Sequence, residues 1–146
     1  MTPLQFAVPI GALESISGAF PYAILALVLV NVLTRHRAHS SYVQAASDGA
    51  DALDRYVPHV VVSAVLVFVS LLFLVIEPHS GMVISVLVIG TMIADMFEFE
   101  ARNVEARNNL DVEKPKGAIT VSLLAVLYAA YLAFFWVIRE QWASIV

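Results

Sequence analysis

Apolar and polar positions divide this chain into four long apolar runs, at about 18–34, 57–76, 82–97 and 117–138, separated by polar intervals. Each run approaches the roughly 20 apolar residues that a helix needs to cross about 30 Å of hydrocarbon. Pro21 and Pro58 fall in first turns, where a missing N–H costs little. Glu77-Pro78-His79-Ser80-Gly81 reads as a tight turn between the second and third runs, and Pro115-Lys116-Gly117 starts the fourth. The pattern predicts an all-α polytopic membrane protein, one domain over 1–146. Four transmembrane helices form two hairpins in the same orientation, with inner loops at about 35–56 and 98–116. No residue-level identity between the halves establishes an internal repeat.

The third run has no Gly or Pro where apolar sequence gives way to the charged stretch from Asp95 to Arg107. The third helix is therefore predicted to continue past the membrane into the cytoplasm. In the first inner loop, Tyr42, Ala46, Ala50, Leu53 and Val57 recur at three- and four-residue steps, while Asp48, Asp51 and Asp54 take another face. This periodicity predicts a short amphipathic helix, lying along the inner surface or packed on the third helix's extension. Ser47 is a candidate cap, and Gly49 weakens the segment. Residues 1–17 are weakly apolar and broken by Pro3, Pro9 and Gly11. They read equally as an interfacial helix or a loose extension. No basic residue precedes Arg35, so a cleaved secretory signal is not expected.

Composition agrees with a lipid environment. Hydrophobic residues make up 60% of the chain and charged residues 14%, against about 25% charged in soluble chains. Mean hydropathy is +0.84. The formal net charge of −4 argues against nucleic acid as a partner. Cysteine is absent, which removes disulfides and thiolate metal sites. Of the 8 basic residues only Arg139 lies outside the two long loops. Basic residues concentrate on the cytoplasmic side of membrane proteins, so both termini are expected to be extracellular and the long loops cytoplasmic. Trp136 and Trp142 then suit the outer aromatic belt.

No ionisable residue sits at mid-depth in the runs, which argues against a proton-coupled pump within one chain. The polar serines and threonine of the runs (Ser63, Ser70, Ser85, Thr91), with Asn31, are expected to find backbone or neighbouring-helix partners. Small residues at Ala118, Ser122, Ala125, Ala129 and Ala133, and at Gly90 and Ala94, mark helix-packing stripes. The chemistry concentrates where the third helix leaves the membrane. Asp95, Glu98, Arg102 and Glu105 share one helical face, and Glu98 to Arg102 is a favourable i,i+4 ion pair. Asp95 is the deepest carboxylate and needs a partner, for which Arg35, Arg37 and Arg55 are in reach. His36 and His39, three apart at the end of the first run, form a candidate polar cluster with Asp95, Glu98 and Arg102. His36, His39 and Asp95 are its candidate metal ligands. The Glu-x-x-His pairs of di-metal helical sites are lacking, and His59 and His79 read as structural. Asp48-Gly49 superficially matches the opening of the CDP-alcohol phosphotransferase signature, but the later residues of that signature do not follow. The three Asp also lack EF-hand spacing.

Five segments together, Arg35-His36-Arg37-Ala38-His39, Tyr56-Val57-Pro58-His59, Pro78-His79-Ser80-Gly81-Met82-Val83, Ala94-Asp95-Met96-Phe97-Glu98-Phe99-Glu100-Ala101-Arg102 and Pro115-Lys116-Gly117-Ala118, make the chain resemble a group of small integral membrane proteins of halophilic archaea. The resemblance covers most of the chain. It implies a source and a topology, and carries no activity.

Three functional expectations follow. The first is a non-enzymatic small subunit or scaffold of a membrane assembly, with the lipid bilayer, other membrane subunits or further copies as partners and no cofactor. The second is a homo-oligomeric transporter or channel whose shared axis is lined by Ser63, Ser70, Ser85 and Thr91. The third is a membrane-interface metal-binding protein or enzyme built on His36, His39, Asp95 and Glu98.

Overall fold

A computed structural model describes residues 7–145. The part of the N-terminal extension at residues 1–6, including Pro3, lies outside the described residues. Every regular element among the described residues is a helix, without a strand. A short helix, α1 (Ile10–Ser15), leads through one 3-10 turn into α2 (Phe20–Ser47). Then follow α3 (Val57–Ile76), α4 (Pro78–Arg107) and α5 (Lys116–Ile145). The long four are each apolar enough to cross a membrane. At about 1.5 Å per residue, the 20 residues of α3 match the hydrocarbon layer, and the other three overrun it.

The overrun of α2 differs from the sequence reading. Arg35-His36-Arg37 was expected to end the first helix, followed by a separate amphipathic one. Instead α2 runs unbroken through them, because nothing stops it before Gly49. There φ is +88°, a conformation open to glycine. The amide of Ala50 reaches Ala45 O at 3.0 Å and that of Gly49 reaches Ala46 O at 3.1 Å, the paired bonds of a Schellman ending. Ser47 caps no N-terminus; its hydroxyl donates to Gln44 O at 2.8 Å. The turn between α3 and α4 is also shorter than read. Helix α4 starts at Pro78, which leaves Glu77 as the only residue between them. A Cβ on Gly81 would run into the backbone of Leu74, so this tight reversal requires glycine.

Contacts join α2 to α3, α3 to α4, α4 to α5, and α5 back to α2. This ring places α2 opposite α4 and α3 opposite α5. Ile24, Val28 and Ile84 fill its centre, almost wholly removed from the surface. The small stripe of α5 (Ala118, Ser122, Ala125, Ala129, Ala133) is buried against the chain's own helices. The outer faces stay apolar, with Phe68, Val86 and Leu127 exposed, as a lipid-facing surface requires. Leu13 of α1 packs into the same core.

The two halves share one burial register. Ile24 matches Ile84, Val28 matches Val88, Asn31 matches Thr91 and Arg35 matches Asp95, each pair at the sixty-residue spacing of the last. In α3 and α5 the spacing is one residue less, pairing His59, Ser63, Leu66 and Ser70 with Ala118, Ser122, Ala125 and Ala129. Asn109 repeats Gly49: its φ is +56°, and Leu110 N to Glu105 O (2.9 Å) and Asn109 N to Ala106 O (3.3 Å) close α4 as α2 is closed.

Candidate functional site

Beyond the apolar core, the extensions of α2 and α4 and the loop after α2 build a second, small core. Leu53, Phe99 and Ala106 are buried there with Tyr42, Ala45 and Ala46 packed against them. Tyr42 meets Phe99 edge-on at 5.4 Å, and the Arg55 guanidinium lies 4.3 Å over the other ring of that pair, Phe99. Two hydrogen bonds fix the loop: Leu53 N donates to Asn103 Oδ1 at 2.7 Å, and Tyr56 N to the Tyr42 hydroxyl at 3.2 Å.

Between the two cores lies a polar cluster. Arg35 and Asp95 meet across the ring through two parallel bonds, Nε to Oδ1 and Nη2 to Oδ2, both 2.8 Å. Their side chains are 5% and 15% exposed. Such a fork is the strongest form of side-chain ion pair. Arg35 Nη2 also donates to Asn31 Oδ1 at 2.6 Å, and Asn31 Nδ2 to Ser63 Oγ at 2.9 Å. On the far side of Asp95, His59 Nε2 lies 3.0 Å from Oδ2. A carboxylate only accepts, so Nε2 carries a proton. His59 Nδ1 is 2.9 Å from Thr34 Oγ1, which also reaches Asn31 O at 3.0 Å. Thr34 Oγ1 thus stands between the His59 ring and the Asn31 carbonyl.

A cavity of about 450 Å³ adjoins the cluster. Its polar wall includes Arg35, His39, Arg55, Asp95, Glu98 and Arg102, and its apolar wall includes Ala38, Val60, Ala64, Met92, Met96 and Phe99. Among the described residues, Arg35 Nη1, His39 Nδ1, Glu98 Oε2 and Arg102 Nε are buried here without a hydrogen-bond partner. His39 lies past the apolar part of α2.

A family profile described as Domain of unknown function (DUF7313) matches residues 2–146. The chain belongs to that family. No curated protein and no solved structure matches it.

In this DUF7313 chain the candidate residues read from sequence are only partly assembled. Asp95, Glu98, Arg102 and His39 line one cavity. His36 is exposed and apart from it. Both oxygens of Asp95 are engaged by Arg35 and His59. Among the described residues no three His, Asp or Glu stand where they could hold a metal ion, so the set His36, His39, Asp95 is not brought together. The expected Glu98–Arg102 pair does not form. Glu98 Oε1 instead accepts the amides of Gly117 (2.7 Å) and Ala118 (3.1 Å), capping α5, where a negative charge favours the helix dipole. Arg102 turns to Glu105, 2.7 Å from Nε to Oε2, and to Glu113 O at 2.6 Å, which pins the second loop. Of the polar groups in the apolar runs, Ser70 Oγ and Ser85 Oγ are buried without a partner among the described residues, contrary to expectation. The sequence reading took His59 as structural, gave Asn31 a backbone or neighbouring-helix partner, which it finds in Ser63, and singled out none of His59, Asn31 and Thr34 for the site. The signal was present: Asn31 and Arg35 stand four apart on one stripe, and His59 is the first polar residue of α3.

Proposed function

We infer that this multi-pass membrane protein is a non-enzymatic binding protein whose site is the Arg35–Asp95–His59 cluster and the cavity beside it. In this reading the site lies at the cytoplasmic end of a four-helix bundle of two hairpins with both termini extracellular, which the basic bias of the long loops supports. One observation carries the reading: a guanidinium 4% exposed keeps an N–H group unpartnered at the wall of a cavity large enough for a small molecule. A buried, unsatisfied donor costs about 1–3 kcal/mol or more when charged, and a ligand acceptor offsets that cost.

The subunit or scaffold role is the second reading, supported by the exposed apolar faces of all four long helices. Its other motive, the small-residue stripe of α5, is consumed inside the chain. A shared pore draws less support, since Ser63, Ser70, Ser85 and Thr91 are all buried within one chain.

The test is native mass spectrometry of the full chain released from its own membrane into mild detergent. The expected result is one non-protein mass per chain, lost in Ala38→Phe, which fills the cavity, and in Arg35→Lys. Retention of the same mass by a folded Ala38→Phe protein, or no retained mass in the wild type, overturns the reading.

A further inference from the structure

Resting on that reading, we propose that the cavity takes the head of a membrane lipid bearing one phosphate anion and a free hydroxyl, with its tail leaving between α3 and α4. The polar end specifies the head. Asp95 is saturated by Arg35 and His59, and Arg102 is held by Glu105 and Glu113. Arg102 Nε stands 2.7 Å from Glu105 Oε2 without a hydrogen bond of its own, and two further guanidiniums keep donors to spare. Arg35 Nη1 has no partner among the described residues. Arg55, over the Phe99 ring, has one exposed contact, 3.4 Å to Glu100 Oε1. Both call for a multidentate anionic acceptor, and guanidinium is matched to phosphate oxygens. Glu98 Oε2, buried and unpartnered, asks for the opposite, a hydroxyl donor on the same head. His39 Nδ1, buried in the same wall without a partner, adds a further polar contact for the head.

The apolar end specifies the tail and its route. Val60 and Met96 line the cavity while 45% and 48% exposed on the outer surface, and Ala64 beside them is exposed too. The opening therefore faces sideways between α3 and α4, through side chains suited to lipid. A water-soluble anion has no need of such a route. The approximate repeat sharpens the point. At the position matching His59 the other half carries Ala118, whose amide donates to Glu98 Oε1, so the imidazole beside Asp95 has no counterpart across the repeat.

The test titrates the purified full chain in neutral detergent with three probes: short-chain phosphatidylglycerol, phosphatidylcholine of the same chain length, and glycerol 3-phosphate. Bound mass is read by native mass spectrometry and Tm by scanning fluorimetry. The wild type is expected to prefer phosphatidylglycerol over phosphatidylcholine by about tenfold or more, the worth of one charged hydrogen bond. Ala64→Trp, which blocks the opening without touching the cluster, is expected to weaken phosphatidylglycerol by a similar factor. Equal binding of the two lipids means surface lipid only and overturns the proposal. Glycerol 3-phosphate binding as tightly as phosphatidylglycerol, untouched by Ala64→Trp, assigns the site to a soluble anion and also overturns it. If neither lipid nor headgroup binds while the native preparation still releases one ligand per chain, this inference falls and the binding reading stands. If nothing is released either, both fall.

Discussion

Arg35 and Asp95 occupy the same position in the two halves of the chain, sixty residues apart, and bind each other across the centre of the ring. Residues related in this way by an approximate twofold lie on opposite sides of its axis, so a pair of them can meet only near it. Where the deeper pair Ile24/Ile84 is identical and Asn31/Thr91 is merely polar, this pair has diverged to opposite charge. Two like charges there would repel in a poorly solvated site, and two complementary ones lock the halves together. Burying the pair makes it a poor source of net stability and a strong determinant of register, since a slipped helix leaves an isolated buried charge.

The relationship predicts an asymmetric response to mutation. Asp95→Ala is expected to cost about 3–5 kcal/mol, the usual loss on orphaning a buried charge, because Arg35 and His59 both lose their acceptor. The charge swap Arg35→Asp with Asp95→Arg is expected to recover about 1–3 kcal/mol relative to additive single changes, because the two positions face one another and the swap restores opposite charges. Chemical unfolding in mild detergent gives all four corners of the cycle. A double variant no more stable than the sum of its parts shows that the two positions are not interchangeable.

Glu98 predicts a local effect at a distant point in sequence. It is an N-cap supplied by α4 to α5, so Glu98→Ala is expected to cost about 1 kcal/mol and to speed amide exchange at Gly117 and Ala118 in particular. A Cβ at Gly117 would stand 2.6 Å from Glu98 Oε1. Gly117→Ala should therefore displace the same carboxylate and give the same exchange signature. Unchanged exchange at those two amides in both variants would show that the cap carries no weight.

Two glycines on α4 separate close packing from mere small size. Gly81 has the Leu74 backbone where its Cβ would be, and Gly90 has only Val121 Cγ1 at an ordinary 3.7 Å. Gly81→Ala is expected to lower Tm sharply, since backbone must move. Gly90→Ala is expected to be neutral or to stabilise by up to about 1 kcal/mol through helix propensity. The order of the two melting temperatures decides: a Gly90→Ala protein less stable than Gly81→Ala contradicts this packing.

The contrast between Glu98 and Asp95 shows how far sequence could reach. Four helices were legible because each apolar run is long and continuous, and the continuation of α4 was legible because no breaker interrupts it. The same rule applied to α2 and was set aside there: Arg35, His36 and Arg37 looked like an end, although charge does not stop a helix and only Gly49 does. Asp95 was recognisable as needing a partner because burial and charge are both local properties. Its choice of Arg35, the role of His59 and the cap that Glu98 gives α5 depend on which helices stand opposite or adjacent, and spacing within one helix holds no trace of that. The repeat stayed hidden for a related reason, since it is a repeat of burial more than of residue type.

Orientation is the remaining prediction, and the absence of cysteine makes it direct to check. Asp51 and Asp111 are exposed in the two loops, clear of the second core and of the cavity, so Asp51→Cys and Asp111→Cys each introduce a single accessible thiol. With those loops cytoplasmic, a membrane-impermeant maleimide labels both only after the cells are opened, whereas Ser144→Cys near the far end of α5 is labelled in intact cells. The physical basis is the concentration of Arg and Lys beside the loops. Of these, Arg35 and Arg102 are buried and paired, so the exposed Arg37, Arg55, Arg107, Lys114 and Lys116 are left to set the orientation. Labelling of Asp51→Cys or Asp111→Cys in intact cells would invert the molecule and move the cavity to the outer leaflet. The proposed lipid would then have to come from that leaflet, with the cavity's own chemistry unchanged.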